Sequence, residues 1–84
     1  MDEQEEEREV LKSEQASHCN TIGELLREVG MSAGDPCRSD YLDWLTQQRD
    51  PAGNPVPPRL LDEITRVHAR LRLVMEQLTE LEEQ

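Results

Sequence analysis

His18, Cys19, Cys37 and His68 are the residues of this sequence whose side chains bind metals or act as nucleophiles most readily. A histidine–cysteine set of this kind could hold zinc, but structural zinc sites are built from short paired spacings. His18 and Cys19 are adjacent, and neighbours on a helix point about 100° apart. Cys19 and Cys37 are 18 residues apart, with no CxxC pair. The spacing therefore predicts no metal ligand set. Cys37 stands between Pro36 and Arg38, and a neighbouring base can lower a thiol pKa, yet a loop cysteine with no further support is ordinarily inert. Carboxylates are abundant, but no nucleophile is paired with a base, and neither a phosphate-cradling glycine loop nor an HExxH motif is present. The expectation is a chain with no catalytic, cofactor-binding or metal-binding residue, and hence not an enzyme.

Two other groups of side chains could recognise a partner. The aromatic residues, one Tyr and one Trp, both lie within 39–48. Tyr41, Trp44 and Leu45 fall at i, i+3 and i+4 and form one apolar face, with Leu42 at its edge. Tyr and Trp often dominate interface energies, so Tyr41, Trp44 and Leu45 are the candidate partner-binding residues, the alternative being that they cap the chain's own core. Arg59, Arg66 and Arg70 lie within about 40° of one another on a helical wheel. Glu63 sits among them, so these residues read first as an exposed salt-bridge ladder worth a few tenths of a kcal/mol per pair. The sharper reading is a basic strip for an acidic partner.

The elements that position these residues are mostly helical. Leu60, Ile64, Val67, Leu71, Val74, Leu78 and Leu81 recur at intervals of 4 and 3 without a break, the a/d pattern of a coiled coil. They are the candidate self-association seam, on a helix predicted at 58–82. Leu61 and Met75 widen the stripe, which suits packing in a bundle. Four of the five prolines crowd residues 51–58; a stiff, extended connector with a turn at Gly53–Asn54 is expected there. A short helix is predicted at 36–48, capped by Ser39 or entered from Asp35 and Pro36. In the N-terminal third, a helix over 4–29 carries Leu11, Gln15, His18, Ile22, Leu25 and Val29 on a 4-3 seam. Thr21 and Glu24 form a capping box that could restart it, and Gly30 is placed to close it.

The stretch from Gly23 to Ser32 superficially resembles the first helix and turn of a helix-turn-helix. The helix that follows would present Asp40 and Asp43 to the DNA phosphates, so a plain link between two helices is the simpler reading. Direct nucleic-acid binding is not expected from a chain with 19 acids, 9 bases and a net charge of −10. That charge sits at the ends. Residues 1–9 hold six acids and one base, and residues 76–84 hold four acids and none. The acidic blocks are expected as solvated, flexible ends at 1–9 and 82–84, or as a docking surface for a basic partner.

With 84 residues and 35% hydrophobic content, one small domain spanning 1–84 is expected, and its private core is marginal. The fold class expected is all-α: an antiparallel hairpin of helices 4–29 and 58–82 with a short middle helix, completed into a bundle by self-association or by a partner. The function that fits is a non-catalytic protein–protein interaction module: a small adaptor, chaperone or inhibitor docking on a larger protein. The alternatives are a structural coiled-coil subunit of a larger assembly, or a DNA-linked regulator acting through the helix-turn-helix-like segment or by acidic mimicry of nucleic acid. A homo-oligomer, no cofactor, no membrane span and a cytoplasmic location complete the expectation.

Overall fold

In the computed structural model, residues 3–83 are described. Helix α1 spans Glu3–Arg27, α2 spans Tyr41–Thr46 and α3 spans Pro58–Glu83. The two long helices pack antiparallel along a body of 51 × 20 × 18 Å, which is the expected hairpin. Its register brings the two acidic ends together, where Arg8 of α1 pairs with Glu82 of α3 at 3.1 Å. Both partners of that pair are about half exposed, so water screens it and it adds little stability. Residues 3–9 and 82–83 are helical; the rest of the predicted acidic ends, residues 1, 2 and 84, lies outside the described residues.

Helix α1 is continuous through Thr21. The capping box is not used, because the Thr21 hydroxyl donates back to the Ser17 carbonyl at 2.9 Å, as a threonine inside a helix can. The helix ends at Arg27 rather than at residue 29, because a Schellman closure consumes the last turn. The Met31 N–H reaches back to the Leu26 carbonyl and the Gly30 N–H to that of Arg27, each at 3.0 Å. Gly30 takes the left-handed conformation the motif requires, with φ 76°. Leu26 and Met31, the apolar pair that accompanies such a closure, are both buried.

The middle of the chain departs most from expectation. The helix predicted at 36–48 contracts to Tyr41–Thr46, and residues 36–40 make successive turns instead. The Asp35 carboxylate accepts from the Cys37 N–H at 3.0 Å, and the Asp35 carbonyl accepts from the Arg38 N–H at 3.2 Å. A side chain that bonds locally in this way offers the backbone an alternative to the helix. Asp40, not Ser39, stands at the N-cap without a side-chain capping bond. Its carboxylate is held instead by the Arg38 guanidinium, with two bonds of 2.9 Å.

The proline connector turns back sharply rather than running extended. Asp50 organises it: its carboxylate accepts from the N–H groups of Ala52 at 2.9 Å and Asn54 at 2.8 Å. Gly53 occupies φ 87°, and an isolated bridge joins Arg49 to Pro55. The turn therefore falls where Gly53–Asn54 predicted it, and it brings Val56 into the core.

The core has two parts. The larger comprises Ile22, Leu26, Met31, Tyr41, Leu45, Val56, Ile64 and Leu71, where α2 and the connector add a third layer to the hairpin. Toward the acidic pole only the two helices meet, and the core thins to Leu11, Val74 and Leu78. Each fully buried Leu or Ile contributes about 1.5–3 kcal/mol, so stability concentrates at the loop pole.

Candidate functional site

Helix α2 is too short to stand alone, and the aromatic residues fix it. Tyr41, in its first turn, is fully buried. The Tyr41 ring stacks on Trp44, with centroids 5.6 Å apart and planes at 27°. Its other stacking partner is His68 of α3, with centroids 5.4 Å apart and planes at 24°. His68 lies between Ile64 and Leu71 on the inward face of α3 and is buried with them. The Tyr41 hydroxyl and His68 Nε2 are both buried without a hydrogen-bond partner.

Burial sets the chemistry of this cluster. It lowers the His68 pKa, and nearby Arg72 adds to the effect, against the opposing influence of a hydrogen bond to the Pro36 backbone. Burial also pushes the Tyr41 phenol up to about 12, with Cys19 contributing. The Cys19 thiol is pushed up to about 11, first by burial and then by Cys37 and Asp35. Each shift favours the uncharged form. The cluster is a packing centre held neutral, without a base poised against a nucleophile.

The expected site residues divide accordingly. Tyr41 and Leu45 are fully buried and serve the chain's own core. Of the three partner candidates, Trp44 alone is half-exposed, and its ring lies over Gly34. The seam is also used internally. Ile64, Leu71, Val74 and Leu78 are buried against the rest of the chain, while Leu60, Val67 and Leu81 are half-buried. His18 borders a different depression, with Glu14 and Arg70. Among the described residues, no group of three or more His, Cys, Asp or Glu is arranged to hold a metal ion. No helix among them is long and apolar enough to cross a membrane.

The helix-turn-helix-like segment does not form that motif. After Gly30 the chain runs without helix to Tyr41, and the helix it then enters has six residues, too few to lie along a major groove as a recognition helix. The arginines of α3 are a better candidate. Arg59, Arg66 and Arg70 are all exposed, and among the described residues the ion pairs are Arg8–Glu82 and Arg38–Asp40. The predicted ladder through Glu63 is therefore not made, which leaves three guanidinium groups facing solvent along one helix.

Two further features escaped the reading of the sequence. Val10 and Leu73 are exposed at 59% and 56%. For Leu73 a signal existed, since helical-wheel arithmetic puts it about 20° from Arg66, at the edge of the arginine face. The meeting of Cys19 with Cys37 had none, because it depends on where the link crosses α1.

No family model and no solved structure matches the chain. A protein of Sinorhizobium fredii (strain NBRC 101917 / NGR234), named "Putative transposase y4rJ", is 34% identical to it over 76 residues. The match takes in 90% of this chain and 19% of that protein, so the chain spans about a fifth of the length of the curated relative it matches. This similarity overturns two expectations. It speaks against a non-catalytic adaptor, chaperone or inhibitor, and a relative named as a transposase contradicts the expectation of a non-enzyme. The sequence held no sign of this, because the match takes in 19% of that protein and the rest of it has no counterpart among these residues.

Proposed function

We propose that the chain serves DNA transposition, as a helical-hairpin segment of a transposase-type enzyme. The observation that carries this reading is the 34% identity to a transposase-named protein across 90% of the chain. The charge layout supports a defined role. Residues 59–72 carry four arginines against Asp62 and Glu63, whereas residues 76–83 carry four glutamates and no base. Along α3 the potential therefore changes sign. Phosphates are attracted to the Arg59–Arg70 half and repelled from the acidic pole, so the hairpin would set the direction in which a duplex lies against the molecule. The work is cytoplasmic in this reading, in keeping with two free cysteines.

The test is crosslinked capture of the tagged protein from cells, followed by sequencing of the bound DNA. Reads should accumulate at the ends of a repeated mobile element. Even coverage of the genome would overturn the proposal.

A second reading, association with another copy of the chain, is favoured by one observation. Val10 of α1 and Leu73 of α3 are large apolar side chains left exposed outside the seam, whose residues are buried or half-buried within the chain. Pairing of hairpins into a bundle would cover them. Sedimentation should give twice the chain mass, and Leu73→Glu should return it to the single-chain value.

A further inference from the structure

Cys19 and Cys37, 18 residues apart in sequence, meet where the link between α1 and α2 crosses α1. Gln15, one helical turn before Cys19, donates its side-chain N–H to Cys37 Sγ at 3.3 Å. Cys37 is also among the neighbours that raise the Cys19 thiol pKa, so the two side chains lie near each other. Both cysteines are free and half-buried. Cys37 in addition lines an open depression of about 450 Å³, bordered by Arg72, Met75 and Thr79 of α3, so a small molecule can reach its sulfur from solvent.

We propose that Cys19 and Cys37 form a redox-active dithiol, a modification site at which a low-molecular-weight disulfide closes an intramolecular Cys19–Cys37 bond. The depression admits the oxidant to Cys37 first. The Cys37 thiolate attacks one sulfur of the small disulfide, whose S–S bond breaks; one half leaves as a thiolate and takes a proton, and the other half stays on Cys37. Cys19 then releases its proton to water and attacks Cys37 Sγ, and the second small thiolate leaves. The two protein thiols lose two electrons, and the small disulfide becomes two thiols. Closure is the slower step, because the half-buried Cys19 thiol is held up at about 11 and is rarely ionised.

The bond would join α1 to the turns at 36–40. Those turns carry Pro36, whose backbone lies near His68, and the N-cap of α2. Closing the bond therefore restrains the segment least supported by helix, and restricts the unfolded chain as well.

Oxidised glutathione added to the full chain tests this, read by intact mass spectrometry and thermal melting. The wild type should lose two hydrogens without retaining glutathione, stay monomeric on a non-reducing gel, and gain several degrees in Tm. Cys19→Ser should stop at the glutathione adduct on Cys37, because the resolving thiol is gone. Cys37→Ser should react far more slowly than Cys19→Ser. A wild type that stays reduced, retains glutathione or forms disulfide-linked dimers would overturn the proposal. So would a fall in Tm on oxidation, which would mean that the bond forms only by distorting the hairpin.

Discussion

The two orphaned polar atoms in the core, the Tyr41 hydroxyl and His68 Nε2, make opposite demands on pH. His68 has its pKa lowered on folding, so the unfolded chain binds the proton more readily. Its contribution to stability is complete above about 6.5 and declines as pH falls through that value toward the folded pKa. Tyr41 and Cys19 have raised values of about 12 and about 11. Their contributions are complete below the ordinary values and decline as pH rises past about 9 for the thiol and about 10 for the phenol. Melting temperature should therefore fall on both sides of neutrality. His68→Gln should flatten the acid limb, and Tyr41→Phe with Cys19→Ala the alkaline limb; an unchanged limb would show that the named group does not cause it. Removing the Tyr41 hydroxyl also removes an unsatisfied buried donor, so Tyr41→Phe at pH 7 should leave Tm the same or slightly higher.

At the scale of elements, glycines at two positions separate helix propensity from packing. Gly23 lies inside α1, and a Cβ there would meet Ala33 Cβ at 4.0 Å, an ordinary contact. Gly23→Ala should stabilise the chain by about 0.5–1 kcal/mol through helix propensity alone. Gly34 lies in the link with φ 64°, and a Cβ there would come within 2.5 Å of the Trp44 ring. Gly34→Ala should destabilise it by about 1–3 kcal/mol, because both backbone and ring must move. Urea denaturation of the two variants decides the matter, and a loss of stability in Gly23→Ala would mean that α1 is not a regular helix at that point. The short α2 depends on this same link. Residues 36–40, expected as the opening of this helix, are diverted into turns by Asp35 and Arg38, so the six remaining residues are held by tertiary contacts rather than by their own propensity.

The whole molecule is a rod with one basic half-helix and one acidic pole, and its proposed DNA contact can be measured as such. Each arginine that meets a phosphate contributes about one unit to the slope of log affinity against log salt. Alanine at Arg59, Arg66 and Arg70 together should lower that slope by up to about three units with duplex DNA, while leaving the melting curve nearly unchanged because all three side chains are exposed. An unaltered slope would remove α3 from the DNA contact. Leu71→Asp, by contrast, buries an unpaired charge between the two long helices and should collapse the fold; retention of the wild-type melting curve would refute the hairpin.

The sequence by itself determined the long helices, their antiparallel arrangement and the gathering of acid at one end. Periodicity, glycine closure and charge runs are local properties, and they survive folding unchanged: the Leu60–Leu81 repeat runs along α3, and Gly30 closes α1. Only the tertiary structure decided what those faces meet. It turned the seam of α3 onto α1, drew Tyr41 and Leu45 into the private core, left Arg59, Arg66 and Arg70 without Glu63, and set Cys19 against Cys37. Such pairings depend on the path of residues 28–57 between the helices. That path is fixed by side-chain bonds from Asp35, Arg38 and Asp50, whose partners no periodicity announces.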